Sequence, residues 1–407
     1  MILHEPEISH QDGRVRVHAR IEASHPKLAA LDRLWFEVEE ACGLAVSDRA
    51  DAFLVALIPI AMACGESLEV RGRTSPRLAW GIREFQNVHF SWWPRHMKIV
   101  DVRYGTLEEA PAGDRGVGVA SAFSGGVDSF FTLWSHTQDR EPIPGFRVSH
   151  ALVINGFDLD VDLEESGRFE TLQAIYAPLL ARVGVELVTV RTNLRAFRLA
   201  GAKKSGLIRS FGTALIAPAL TLCPTFGRFY LAAARGYAQF EADGSNPMTD
   251  PLLGTAGFQT IHDGAQASAR FAKLAALAGW PEALASLRVC SNPSWRNIDS
   301  ERGVIDNCGA CKKCIWTLTS LELLTGRTTF PTFRHPLARA DLRWAARCSP
   351  LRAPEILHEA VARGHRSIAL DIRWGRAQGF LQRWLPVGRG RRRQRRQQSA
   401  ENALRKN

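Results

Sequence analysis

The chain has 407 residues, 45% of them hydrophobic and 23% charged, with 20 Phe and 11 Trp. At about 100–200 residues per domain this predicts two to three domains with ample apolar side chain for a core, and it excludes a miniature disulfide scaffold and a chain disordered throughout. The net charge of +11 is concentrated at the end: from Pro386 onward eight basic residues stand against Glu401 alone, a net +7, which leaves +4 for the other 385 residues.

The first residues, Met1-Ile-Leu-His-Glu-Pro-Glu, show neither a basic nor an apolar leader region. The longest apolar run, Ala52 to Cys64, is interrupted by Pro59 and falls short of the ~20 residues that span a bilayer. The expectation is a cytoplasmic protein with no membrane association. Eight cysteines, three of them in one tight run, favour metal or catalysis in a reducing compartment over secretion.

Residues 1–112 read as an N-terminal accessory α+β domain. It contains a period-two stretch from Arg14 to Ile21, a helix from Asp48 to Ile60, a strand from Ser67 to Arg71 and a Trp-rich segment from Trp80 to Val102. It carries no catalytic motif, and its expected role is self-association into a homo-oligomer or contact with a partner protein. Ala110–Gly116 reads as a linker.

From Val117 apolar runs alternate with helical stretches, the pattern of a parallel sheet built from β-α units. Strands are predicted at Val117–Phe123, His150–Ile154, Glu186–Val190 and Arg228–Ala233, with helices at Asp128–Ser135, Leu163–Val183 and Ser205–Leu222 between them. Three right-handed crossovers would make this a doubly wound parallel sheet, its ligand lying beyond the carboxyl ends of the strands. Residues 241–290 read as loop plus one helix, Cys290–Leu324 as a cysteine-bearing insert followed by a helix, and 331–386 as a C-terminal helical extension. Residues 387–407 have the composition of a disordered basic arm, either one that attracts RNA or an acidic partner or a plain solvated tail.

Ser124-Gly125-Gly126-Val127-Asp128-Ser129 follows the first strand of that sheet and opens its first helix. Paired glycines let the backbone approach a polyanion, and the helix-start amides with the hydroxyls of Ser124 and Ser129 can donate to phosphate oxygens. No Gly-Lys-Ser/Thr follows, so this is not a Walker A loop, and the third glycine of the dinucleotide fingerprint is absent. An acid at such a site calls for Mg²⁺, which Asp128 can hold against the phosphates.

Ser-Gly-Gly-x-Asp-Ser after a strand resembles the pyrophosphatase loop of the N-type ATP pyrophosphatases, which include asparagine synthetase, GMP synthetase, tRNA thiolases and 7-cyano-7-deazaguanine synthase. The resemblance implies an adenine nucleotide alpha hydrolase-like fold, cleavage of ATP between the α- and β-phosphates, and transfer of AMP to an acceptor oxygen. By the same resemblance Asn155-Gly156-Phe157-Asp158 borders the adenosine or the acceptor. Gly156-Phe157-Asp158 departs from the aromatic-Gly-Gln pattern usual there in the deazaguanine synthases. Lys203, Lys204 and Arg209 flank the next helix start, where they meet phosphate or a substrate carboxylate, or else form a solvated helix end.

Cys290, Cys308, Cys311 and Cys314 give the spacing C-x17-C-x2-C-x2-C, and four thiolates satisfy tetrahedral Zn²⁺. Cys348 or Cys223 are alternatives for the fourth ligand. The arrangement is similar to the structural zinc site of the deazaguanine synthases, with a longer first gap; an iron–sulfur cluster is the chemical rival, since some tRNA thiolases pair a pyrophosphatase loop with one. Between the two motifs, Asn246, Asp250, His262 and Asp263 lie in a polar, turn-rich stretch, where they hydrogen-bond a heterocycle, or help admit ammonia, or else cap turns and the following helix.

The expected activity is therefore AMP-forming ligation. Mg·ATP adenylates a small-molecule carboxylate acceptor, a 7-deazaguanine acid among the options, and ammonia displaces AMP to give an amide or nitrile. The rival readings are a tRNA-modifying sulfur transferase and a non-catalytic nucleotide-binding module.

Overall fold

The computed structural model describes residues 1–157, 167–201, 209–239, 241–267, 270–291, 297–349 and 352–384. Asp158, Lys203, Lys204 and the basic tail lie outside them. Two compact units divide the chain: Met1–Arg288 with Ile298–Val304, and Val289–Asn297 with Ile305–Asn407.

The first unit is mixed α/β around a large, mostly parallel sheet of eleven described strands. These are β1 (Ile2–Leu3), β2 (Glu7–Gln11), β3 (Arg14–Glu22), β4 (Arg33–Glu39), β5 (Leu68–Thr74), β6 (Val102–Leu107), β7 (Gly118–Ala122), β8 (His150–Asn155), β9 (Glu186–Thr192), β10 (Phe226–Ala232) and β11 (Gln259–Asp263). Their order is β11-β10-β7-β8-β9-β4-β3-β1-β5-β6, with β2 on β3. From β11 to β9 every pairing is parallel, whereas β9–β4, β4–β3 and β3–β1 are antiparallel. The period-two stretch follows its pattern except at one position: in β3, Val15, Val17, Ala19 and Ile21 are buried while Arg14, Arg16, Arg20 and Glu22 are not, and His18 on the polar face is buried too.

Residues 1–112, read from the sequence as a domain, share this sheet with the strands that follow. Phe36 and Glu37 of β4 pair with Thr192 and Arg191 of β9, and one apolar cluster runs from Leu3 and Phe36 through Leu152 and Val188 to Phe229. The helices of this unit are α1 (Pro26–Ala29), α2 (Asp51–Cys64), α3 (Pro76–Trp92), α4 (Val127–Ser135), α5 (Arg168–Ala181), α6 (Leu194–Gly201), α7 (Phe211–Leu220), α8 (Arg270–Leu277) and α9 (Pro281–Leu284). The apolar run at 52–64 is α2, buried along nearly its whole length. Among the described residues no helix is long and apolar enough to cross a membrane.

Sequence order and space diverge at β7. The chain lays down β7, β8 and β9 side by side, then returns to place β10 and β11 on the other side of β7. Connections leave the carboxyl ends of β7 and β10 in opposite directions, which makes this the switch point of the sheet, where open α/β sheets generally form a ligand crevice.

In the second unit α10 (Lys312–Thr325) is buried from Cys314 through Leu323, and α11 (Arg339–Cys348), α12 (Ala353–Ala362) and α13 (Arg366–Trp384) follow as the expected terminal helices. Asp371 of α13 pairs with Arg343 at 3.3 Å and Arg339 at 3.9 Å of α11.

Candidate functional site

The glycine loop joins β7 to α4 at the edge of that crevice. Gly125 adopts φ +71°, and a Cβ there would lie 1.9 Å from Oη of Tyr176. Tyr176 is fixed: its ring meets Phe123 and Phe130 edge-on, and its hydroxyl donates to the Ser286 carbonyl at 3.0 Å. Glycine alone fits both the backbone angle and the space. Gly126 is the N-cap of α4 and no side chain caps the helix, so the first-turn amides of Val127, Asp128 and Ser129 lack an intrahelical acceptor and face outward at the positive end of the helix.

The two serines brace the loop. The Ser129 hydroxyl donates to the Gly126 carbonyl at 3.1 Å and accepts from the Ser124 amide at 3.3 Å, and the Ser124 hydroxyl accepts from the Gly126 amide at 3.3 Å. Ser129 is buried and Ser124 exposed, so Ser124 is the hydroxyl a ligand can reach. Arg288 closes the other side, its amide donating to the Gly125 carbonyl at 2.7 Å and its guanidinium to the Ser124 carbonyl at 3.2 Å.

Asp128 points at α8. Its Oδ2 lies 2.7 Å from Arg270 and its Oδ1 3.0 Å from the Lys273 ammonium, which also donates to the Ala233 carbonyl just past β10. Burial by itself raises the pKa of Asp128, but the charges and hydrogen bonds of Arg270 and Lys273 outweigh it and hold the carboxyl below its usual value. Where the sequence reading gives Asp128 a Mg²⁺, both of its oxygens are occupied by cations of the chain. Arg270 and Lys273 went unnoticed in the sequence, although their i,i+3 spacing on one short helix was the available signal.

At the end of β8, Asn155 is 2% exposed and its Oδ1 finds no partner among the described residues; Gly156 follows with φ +103°. A buried acceptor without a donor is costly unless a ligand or water supplies one. Arg209, the described member of the expected cationic group, lies 5.8 Å from the Trp93 ring.

The polar stretch between the motifs contains a strand that the sequence reading missed, β11. It sets Asp263 apart from the other three residues singled out there, which stay connected through Asp250. Asn246 shapes a turn, accepting from the Met248 amide at 3.0 Å and donating to the Glu241 carbonyl at 3.0 Å. Asp263 accepts from Thr132 at 2.8 Å and lies 3.1 Å from His136 Nε2, bracing α4. Asp250 and His262 form a pair at 2.8 Å.

The four cysteines converge. Their sulfur atoms all lie within 4.8 Å of one another, with Cys290–Cys311 at 4.0 Å, Cys308–Cys314 at 3.9 Å and Cys311–Cys314 at 3.4 Å. Four thiolates at ~2.3 Å around one tetrahedral ion stand about 3.8 Å apart, so the cluster could hold a metal such as zinc. Cys348 is exposed at the end of α11 and Cys223 is buried in the core of the first unit, and neither joins it.

Local structure explains the convergence. Gly309 takes φ +72° beneath His335, which turns Cys308 back toward Cys311, and the Cys311 amide donates to Cys308 Sγ at 3.3 Å. Cys311 is the N-cap of α10, where the helix end favours a thiolate. Hydrogen bonds with Cys290 and then Cys314 lower its pKa, and contacts with Cys290 and then Cys311 raise that of Cys314. Asn307, fully buried, accepts from the amides of Val289 and Cys290 at 2.8 and 3.0 Å and donates to the Thr332 carbonyl at 2.8 Å, which holds the distant cysteine in register with the other three. Sequence spacing alone offered no hint of that role.

No family model matches the chain, and no curated protein or solved structure matches it.

Proposed function

We propose that the chain is an ATP-dependent, AMP-forming ligase of the N-type ATP pyrophosphatase kind, built on a doubly wound, adenine nucleotide alpha hydrolase-like sheet. The observation that carries this reading is the junction of β7 and β10, where an uncapped glycine loop meets the Arg270–Lys273 pair across Asp128. Open amides and two cations at one crevice suit a polyanion leaving or binding there.

Mg·ATP enters as the substrate. The loop amides, the Ser124 hydroxyl, Arg270 and Lys273 take the β- and γ-phosphates, and Asn155 Oδ1 accepts a donor from the nucleoside or the acceptor acid. The acceptor carboxylate attacks the α-phosphorus, the bond to the β-phosphate breaks, and pyrophosphate leaves with its charge met by those cations. Asp128 orients the two cations, and no step is routed through a metal bound to it. Ammonia then displaces AMP from the acyl adenylate, giving an amide, or a nitrile after loss of water. The cysteine cluster holds a structural Zn²⁺: the sulfur spacing fits, and the metal supplies cross-linking of Cys290 to the start of α10.

Chromatography of the nucleotide released from Mg·ATP and ammonium, with and without 7-carboxy-7-deazaguanine, tests this reading. Acid-dependent AMP supports the ligase and that acceptor. AMP without acid dependence reassigns the acceptor, and ADP overturns the assignment of the loop.

A further inference from the structure

Resting on the ligase reading, we infer that His262 is the base that deprotonates the amine nucleophile and that Asp250 is the residue that positions it.

Asp250 is 1% exposed, and both of its oxygens are engaged: Oδ1 by the Asn246 amide at 3.1 Å, Oδ2 by the Ser245 hydroxyl at 2.7 Å and His262 Nδ1 at 2.8 Å. An ionised carboxylate only accepts, so the pairing places the imidazole proton on Nδ1 and leaves the lone pair on Nε2. Nε2 makes no hydrogen bond among the described residues. His262, its side chain 7% exposed, is among the residues that line a cleft with Ala234, Tyr237, Glu241, Asp243 and Asn246.

The position suits the second half of the reaction. The cleft opens past the carboxyl ends of β10 and β11, and Ala234 follows the Ala233 carbonyl that Lys273 ties to Asp128. At ~4.8 Å between strands, β11 stands about 10 Å from β7 across β10, and His262 takes the face of β11 opposite to Asp263. Glu241 and Asp243 line the approach and favour a cation such as ammonium or a protonated amine; Arg235 pairs with Glu241 at 2.6 Å. The groups facing His262 are thus Asp250, Arg235, Tyr237, Glu241 and Asp243, with Asp263 next along the strand and turned to α4.

In the step, Nε2 takes one proton from the ammonium ion. The freed lone pair forms the C–N bond at the acyl carbon, and the C–O bond to AMP breaks with its electron pair on the phosphate oxygen. A second proton then leaves the nitrogen for solvent, as does the one on Nε2, giving amide, AMP and the resting imidazole.

His262→Asn keeps a donor for Asp250 in the Nδ1 position and removes Nε2. The full-length protein is assayed with 7-carboxy-7-deazaguanine for ATP–pyrophosphate exchange, which reads adenylation, and for amide formation with ammonium. A general base contributes about 10²–10⁴-fold, so the ratio of amide formation to exchange is expected to fall roughly 100-fold at neutral pH. The deficit shrinks at alkaline pH, where free ammonia replaces ammonium, and Asp250→Asn lowers the same ratio by disturbing the tautomer. An unchanged ratio in His262→Asn, or loss of exchange together with amide formation, overturns the assignment of His262. Absence of both exchange and AMP release in the unsubstituted protein overturns the ligase reading itself, a result that leaves a different signature.

Discussion

At the glycine loop the negative group comes with its counter-charges: Asp128 is clasped by Arg270 at 2.7 Å and Lys273 at 3.0 Å. At the cysteine cluster sulfur faces sulfur, four thiols within 4.8 Å of one another. Both constructions stand at the start of a helix, α4 in one case and α10 in the other, and both use the positive helix end. The loop is therefore braced by its own hydrogen bonds, and its acid is compensated by cations of the chain. The cysteines, in contrast, become a stable structure when a cation compensates them, as a resident metal does.

The largest effect expected from this contrast is at the metal. Replacing Cys314 by Ser should remove the bound ion and destabilise the second unit by several kcal/mol, out of the ~10–16 kcal/mol that structural zinc contributes in small domains. Metal analysis and thermal unfolding with and without a chelator read this out. The expected protein is colourless with one zinc per chain; visible absorption from iron and sulfide would break the comparison by making the cluster a redox site.

Next comes the loop acid. Asp128→Asn leaves the Lys273 ammonium, 3% exposed, without its carboxylate, and breaking a buried pair on one side costs about 3–5 kcal/mol. Denaturant unfolding should show that loss together with loss of AMP formation. Unaltered stability would mean that Asp128 is not the anchor of the two cations.

Acidification is the gentlest probe and separates the regions by their proton chemistry. Asp128 has a depressed pKa, so its stabilising contribution is complete above the ordinary carboxylate range and is lost only as pH falls below it, through the lowered value. Thiolate ligands compete with protons at higher pH, so the metal should leave first. A titration that follows zinc release with a chromophoric chelator and loop integrity by unfolding should show two separate events in that order; simultaneous loss would contradict the independence of the two sites.

The sequence reading located the glycine loop, the four cysteines and four of the five strands β7 to β11 that pair in parallel, because each has a local signature: a short motif or an apolar run between turn residues. It read Asn246, Asp250, His262 and Asp263 as one group, since adjacency in sequence is all that such a stretch offers. Side chains alternate across a strand, so in β11 His262 turns to Asp250 while Asp263 turns to α4. The strand itself, Gln259-Thr-Ile-His-Asp, is too polar and short to stand out.

By itself, then, the sequence picked out the glycine loop and the four cysteines that could hold a metal, because glycine and cysteine spacing act over a few bonds. Only the tertiary structure decided how charge is distributed among them: that Asp128 meets Arg270 and Lys273, more than 140 residues away, that Asn307 sets Cys290, and that β4 joins β9 in one sheet. Those pairings depend on which strand ends and helix faces the packing of the core brings together, and no local pattern encodes that.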